Sequence, residues 1–571
     1  MKLMLKQYLS SLNERDELDV VLPDILSEIG FNVFSRPRRG TTQYGVDVAA
    51  TGPHPVTGKS ALFLLSIKAG NLTRNQWEDG SQALRQSLDQ ILEVYIPKLV
   101  HPRYKKLPVV IVLCFGGDIQ EEVRLRVQGY MEKHADEGRI EFEEWNGDRL
   151  ADLMLTGILR EKMFPKEMQN SFRKALAFVD EPSVCIAHFT RLLRQLFSAP
   201  PKDHKSRMRV ARQIYLATWN VYAWARDAGN LEAAYQASAL AALWCWDLAR
   251  EHLTDTVKGR EIGECAHRCI VLHQLISDEF LKLHIEPYAK VDNGLGLAVR
   301  SSARIDVNLR VFETLGRVAM HGLWIIHARE SLGSKTDSSV VDMINTDLSR
   351  LREIVVNIIR GNRVLESPAR DDHAIEIMLA AIFLARCEEL DFLAQWVQAV
   401  ARTSIFSYRT EGAYPCVLRD YAQLAVHPKA SDGYKEEVTA GSILYPTLAV
   451  WSSLLRQPEM LAELADFQTN AAAHCTWQFW VPDESSEQHL YRNTDMHGSA
   501  ILDIRASAGS EKLIEQLNTE ITAATEFGQL SCIRLGYWPL FLLASRIHRL
   551  PVPIHFLASS QPADDTDSKA A

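Results

Sequence analysis

The chain changes texture once, near residue 170, and that change constrains its fold more than any other feature. Before it, short apolar runs alternate with amphipathic segments. Residues 31–34, 45–50, 61–69, 109–115 and 140–145 read as strands. Residues 14–29, 76–95 and 119–135 carry apolar positions at helical spacing. In the first of these the stripe is Leu18, Val21, Leu22, Ile25, Leu26 and Ile29, closed by Gly30 as a C-terminal cap. The order α-β-β-β-α-β-α-β predicts an α/β domain over 1–165, a mixed central sheet flanked by helices. After residue 170, β-branched runs become rare. Long amphipathic segments follow at 207–226, 231–253, 262–285, 304–330, 339–360, 373–403, 440–468 and 510–525, and ten of the twelve tryptophans lie after residue 170. This predicts a large all-α region over 170–558, subdivided near 425–440. No fixed-period repeat is present. Residues 559–571, rich in Ser, Asp and Ala, read as a disordered tail.

At 571 residues the chain can hold two to four domains, and 47% apolar with 24% charged residues is ordinary for a globular protein. A net charge of −9 excludes binding a polyanion by bulk electrostatics, so a nucleic acid would need a local basic patch. Arg36, Arg38 and Arg39, just before Asp47, form one DNA-binding candidate; Arg103, Lys105 and Lys106 form another. No stretch approaches the ~18 uninterrupted apolar residues of a membrane span, and the N-terminus lacks the apolar core of a signal peptide. Nine scattered cysteines fit a reducing compartment, so the expected location is cytoplasmic.

The chemistry concentrates in two short signatures, Gly45-Val46-Asp47 and Ser66-Ile67-Lys68. Paired strands would deliver a carboxylate and a lysine to one place. Strand alternation turns Ser66 and Lys68 to one face and Ile67 to the other. Phosphodiester hydrolysis needs an activated water and relief of phosphate charge. A hard divalent ion held by one or two carboxylates, such as Mg²⁺ or Mn²⁺, supplies both, and a neighbouring lysine stabilises developing charge.

On these residues, with Ile29-Gly30-Phe31 after the first helix, the region 14–150 resembles the PD-(D/E)xK nuclease superfamily and, within it, the Mrr-like restriction endonucleases. The resemblance implies a restriction-endonuclease-like fold, with Asp47 as metal ligand and Lys68 as catalytic residue. The middle ligand of the family's pattern would fall on Ser66, a shorter and weaker donor than the usual acid or amide. A further acid from the first helix would be Asp19, with Asp16 and Glu17 as rivals. By the same analogy, a nuclease joined to a large helical region belongs to a bacterial anti-phage defence or restriction system. The helical region would then sense a trigger, bind a partner protein of the system, or hold the nuclease silent. DNA is the implied substrate, and a homo-oligomer is compatible with it.

Other signals carry less. Gly58-Lys59-Ser60 ends a turn-rich segment, but five residues rather than four separate Gly52 from Gly58, and a strand follows where a phosphate-binding loop needs a helix. Cys265, Cys269 and His273, with His267 nearby, share one helix face, while metal sites draw ligands from more than one element. Arg268 and His273 match the loose pattern of helical HEPN-type ribonucleases, so a helical-domain ribonuclease is a rival reading. Another is an inactive nuclease-like scaffold, which the Ser66 departure favours. The tryptophans read as core.

Overall fold

The computed structural model describes residues 9, 18–35, 43–54, 57–79, 83–136, 138–157, 166–199, 201–299, 301, 303–333, 336–502 and 504–558. Two compact units emerge, Met1–Leu196 with Trp219–Asn230, and Phe197–Thr218 with Leu231–Ala571.

The first unit is built on a five-stranded sheet whose strand order follows chain order: β1 (Asn32–Ser35), β2 (Val48–Pro53), β3 (Ser60–Lys68), β4 (Val109–Phe115) and β5 (Ile140–Trp145). β1, β2 and β3 form an antiparallel meander, while β3–β4 and β4–β5 are parallel. The expected mixed sheet flanked by helices is therefore present. Helix α1 (Asp19–Glu28) precedes β1, α2 (Leu84–Gln90) lies between β3 and β4, α3 (Glu121–His134) between β4 and β5, and α4 (Gly147–Gly157) follows β5.

Each parallel step needs a crossover. Because both steps go the same way along the sheet, right-handed crossovers put both on one face. The buried cluster on that face joins Leu62, Leu64, Ile111 and Leu113 to Leu84 and Leu88 of α2 and Val123 and Val127 of α3. On the opposite face the rings of Phe31, Phe63 and Trp145 meet, with centroids 4.8 to 6.4 Å apart. Every residue of β4 is buried, as expected of a strand covered on both sides. β5 is an edge strand, and the charged face of its sequence, Ile-Glu-Phe-Glu-Glu-Trp, is only partly covered.

The second strand departs from its expected span of 45–50: the ladder begins at Val48 and runs to Pro53, so Asp47 stands just before it. The expected 76–95 helix is also divided. A π-helical turn at Asn75–Asp79 comes first, then α2 continues as a π-helical stretch Ile91–Leu99 that contains Pro97. The wider turn suits a proline, which has no N–H to donate.

Helices α5 (Lys166–Ala177) and α6 (Pro182–Leu196) complete the run of the first unit, and α7 (His204–Asp227) follows. In the second unit, α8 (Glu232–Ala249) packs along α9 (Val257–His284). Alanines at 233, 234, 237, 239, 241 and 242 of α8 are buried, as most of that helix is, and their small size lets neighbours approach it on several sides. α10 (Arg304–Glu330) packs against both α11 (Ser338–Gly361) and α12 (Ala374–Arg386). α13 (Leu390–Arg409), α14 (Leu444–Leu454), α15 (Pro458–Asp466), α16 (Ser510–Ala523) and α17 (Pro539–His548) follow. Trp244, Trp246, Trp324, Trp451 and Trp477 are buried, which is the core role expected of them.

Two expected long helices, 373–403 and 440–468, are each broken. The breaks fall at Glu388 (φ 62°) and Arg456 (φ 56°), left-handed residues with no glycine to announce them. Each is followed by the 6→1 hydrogen bond of a Schellman cap, Glu389 N to Leu384 O at 3.0 Å and Gln457 N to Ser452 O at 2.8 Å. Nor is the region wholly α-helical: Gly441–Ser442 pairs with Thr476–Trp477, and Phe479–Val481 with Ser499–Ile501. These strands are two or three residues long, too short for period-2 alternation to register. No described helix is long and apolar enough to cross a membrane. The 559–571 tail lies outside the described residues.

Candidate active site

The turn at residues 43–47 carries the site into place. Gly45 has φ +79°, and a Cβ there would lie 2.0 Å from the backbone oxygen of Ser87 in α2. Only glycine allows the turn to press so closely on that helix. Val46 is buried in the sheet core, and Asp47 emerges at the first pair of the β2–β3 ladder, Val48 with Leu65. Asp47 N–H donates to Leu65 O at 2.9 Å, and its carboxylate Oδ2 accepts the Ile67 N–H at 2.7 Å. The carboxylate thus ends the ladder, in the place a strand carbonyl would otherwise take.

Stepping the register back by one sets Asp47 across from Ser66, with Lys68 two residues further along the same face of β3. Asp47, Ser66 and Lys68 therefore occupy adjacent strands at one end of the sheet, the juxtaposition expected from the two signatures. Ser66 is 1% exposed and its Oγ has no hydrogen-bond partner among the described residues. Lys68 is 7% exposed. Across from Ile67 on β4 is Cys114, whose thiol is pushed well above its ordinary range, chiefly by burial and then by the Asp47 charge.

A clamp beyond Lys68 holds the strand end, and the residues that form it are additions to the expected set. Gln76 Nε2 donates to Ala69 O at 2.9 Å, Gln76 Oε1 accepts Thr73 N–H at 3.2 Å, and Thr73 Oγ1 accepts Gln76 N–H at 3.4 Å. This is a reciprocal capping box, and its Thr-x-x-Gln spacing is a sequence signal. Asn71 Oδ1 accepts the Asp118 N–H at 2.9 Å, and Gly117 N–H donates to Gly70 O at 2.9 Å, stitching the loops after β3 and β4 together.

The remaining candidates divide. Asp19 lies in the first turn of α1, partly buried. Among the described residues no three His, Cys, Asp or Glu side chains come together to hold a metal, so Asp19 and Asp47 are not joined by a third such ligand. What Asp47 and Ser66 offer a cation is a carboxylate, one oxygen of which accepts the Ile67 N–H, and a buried hydroxyl. Oxygen-only donors of this kind fit a hard divalent ion that keeps most of its waters; they do not fit a softer metal. Asp16, Glu17, Arg36, Arg38 and Arg39 lie outside the described residues. Arg103, Lys105 and Lys106 lead into β4, whose first residue pairs beside Leu62, so they sit at the opposite end of the sheet from Lys68. The separation is about 20 Å, six residues at ~3.3 Å each.

No protein-family model matches the chain, and no curated protein or solved structure matches it.

Of the rival signals, Gly58 (φ +66°) forms the turn between β2 and β3, its N–H bonded to His54 O at 2.8 Å, and not a phosphate loop. His273 is 1% exposed and shares a hydrogen bond of 2.9 Å with Ser238 Oγ. Burial lowers its pKa to about 3. Arg268 instead bonds Glu264 on the same helix at 2.7 Å. The two residues of the ribonuclease pattern do not share a site. Cys265 and Cys269 are buried in the same helix.

Proposed function

We propose that the first unit is a metal-dependent phosphodiesterase of the PD-(D/E)xK type, acting on DNA, with Asp47, Ser66 and Lys68 as its catalytic set. One observation carries the reading: a carboxylate, a buried hydroxyl without a partner, and a lysine are placed on neighbouring strands at one sheet end. Asp47 and Ser66 would hold Mg²⁺ or Mn²⁺, which when bound supplies charge relief and an activated water. Lys68 would donate to a non-bridging phosphate oxygen, where negative charge grows in the transition state. The Ile67 N–H keeps the Asp47 carboxylate aimed, and the Gln76 clamp fixes the backbone on which Lys68 ends. Lys68 is nearly covered, so cleavage carries an opening step, and the helical unit is the natural place from which to control it. A role as effector in a bacterial defence or restriction system, with a partner protein as trigger, extends this reading by analogy alone.

The weak Ser66 donor and the covered lysine also favour a second reading, a nuclease-like fold that binds without cutting. Plasmid DNA incubated with Mg²⁺ or Mn²⁺ separates them. Wild type should nick or linearise it, and Asp47→Asn and Lys68→Met should each lose a hundredfold or more, the scale of removing one charge-stabilising group (~10²–10³). Equal behaviour of all three proteins refutes the cleavage reading.

A further inference from the structure

The opposite end of the sheet carries a second feature that the cleavage site does not use. Residues 98–108 read Lys-Leu-Val-His-Pro-Arg-Tyr-Lys-Lys-Leu-Pro, four cations without one carboxylate, in a chain of net charge −9. Lys98, Arg103, Lys105 and Lys106 are exposed, and none makes an ion pair among the described residues. The segment is not loose. His101 Nδ1 accepts Arg103 N–H at 3.3 Å, Tyr104 N–H donates to His101 O at 2.8 Å, and Leu107 N–H to Tyr104 O at 3.0 Å. Tyr104 is anchored in the sheet's buried cluster. Its ring stacks on Phe34 at 4.6 Å, while the Arg103 guanidinium lies 4.3 Å from the ring centroid and bonds its hydroxyl. Phe34 is itself 39% exposed. The basic rim ends toward β5, where Asp136 and Glu141 appear, Glu141 bonded to His54 at 3.0 Å.

We propose that this rim binds the phosphate backbone of a nucleic acid, as a contact separate from the Asp47 site. Cations held in place by a short 3₁₀ turn and an aromatic stack lose little freedom on meeting phosphates. An exposed phenylalanine beside them offers an unpaired base a stacking face. A ring held flat beside the cations suits a base, and a membrane surface, which can also take a basic and aromatic rim, is told apart by vesicle binding. The two sheet ends lie ~20 Å apart, about six phosphates of one strand at ~3.4 Å each. One polymer can therefore touch both. The proposal deepens the nuclease reading by giving that polymer a grip remote from the cut.

Binding is measured on the full-length Asp47→Asn protein in EDTA, so that no cleavage enters, with labelled single-stranded and duplex oligonucleotides over a salt series. Four phosphate contacts predict a slope of log K against log salt of about −3 to −4. Lys98→Gln/Arg103→Gln/Lys105→Gln/Lys106→Gln should flatten that slope by about three and weaken binding more than tenfold at low salt. The double variant Lys105→Gln/Lys106→Gln, at side chains that make no ion pair among the described residues, should show about half the change in slope. Phe34→Ala should weaken single-strand binding about five- to fiftyfold with the slope unchanged. Unaltered slope and affinity in both lysine variants overturn the proposal while leaving the Asp47 site standing. So does a loss confined to phosphatidylserine vesicles, which would make the rim a membrane contact. Rim-dependent binding without any plasmid cutting supports the rim and removes the cleavage reading.

Discussion

Replacing Ser66 by alanine should make the first unit more stable, which is unusual for a core position. The Ser66 hydroxyl is buried with no partner among the described residues. Leaving a hydroxyl unsatisfied in a core costs about 1–3 kcal/mol. Deleting it opens a void on the order of 10 Å³, worth about 0.2 kcal/mol at ~24 cal/mol per Å³. The balance is a gain of about 1 kcal/mol or more when no metal is present. In Mg²⁺ the sign should turn. An ion at a hundred times its dissociation constant adds ~2.7 kcal/mol to the folded state, and a site that has lost one of its donors keeps only part of that. Hydrogen exchange of peptides covering β3 reads the effect locally in the intact chain. In EDTA the β3 amides of Ser66→Ala should exchange about fivefold more slowly than wild type, the factor that ~1 kcal/mol represents. On adding Mg²⁺, wild type should gain more protection than the variant. Faster exchange of the variant in EDTA would refute the reasoning, because it would mean that the hydroxyl is already satisfied and is not a donor in waiting. Equal gains in Mg²⁺ would remove Ser66 from the proposed metal site.

Other expectations follow from the same geometry. Asp47→Ala leaves the Ile67 N–H without its acceptor and should cost about 1–3 kcal/mol, whereas Asp47→Asn keeps an oxygen there and should unfold within about 1 kcal/mol of wild type in denaturant titrations. Gly45→Ala must place a Cβ 2.0 Å from Ser87 O at φ +79°. It should cost about 3 kcal/mol or more from backbone strain and overpacking together, seen as a loss of soluble, protease-resistant protein. Acid should weaken the helical unit. Burial lowers His273 and His373 to about 3 and His321 and His548 to about 4. The unfolded chain therefore takes up protons that the folded one refuses as pH falls from 6.5 towards 4. Each histidine removes about 2 kcal/mol by pH 5. Asp371, raised to about 6 mainly by burial, and Glu376, also raised by burial, work the other way, but they are two groups against four. In urea titrations at pH 7, 6 and 5, His373→Phe should reduce the slope of stability with pH by about one proton, ~1.4 kcal/mol per unit. An unchanged slope would show that His373 protonates freely in the folded state.

The element order of the first unit is legible because each strand there is a compact apolar run and each helix has a clean stripe. The change of texture near residue 170 is equally plain. Helix breaks at Glu388 and Arg456 are not, since both use a left-handed residue without glycine, and their flanking stripes remain in phase. Asp47 and Lys68 stand out as charges at the ends of apolar runs. Ser66 stands out as a weak donor, but that its hydroxyl is orphaned depends on packing from a helix some twenty residues away. Thr73 and Gln76 carry a readable capping signature; its use to tie down Ala69 O, next to Lys68, is tertiary. Arg268 and His273 show the converse. Their spacing fits a pattern, yet five residues along a helix turns two side chains well apart, and one points into the core.

The edge at β5 has a bearing on assembly. Ile140 already exchanges both backbone bonds with Asp136, but beyond it a second copy could extend the sheet by simple pairing. Glu141, Glu143 and Glu144 make that union unfavourable at neutral pH, for two such edges would set three carboxylates of one copy against three of the other. β1, at the far side, is only four residues long and offers little to extend. The sheet is thus guarded at both margins against growing into a larger one, and any pairing of two copies to cut both strands of a duplex has to be built from surfaces other than the strands.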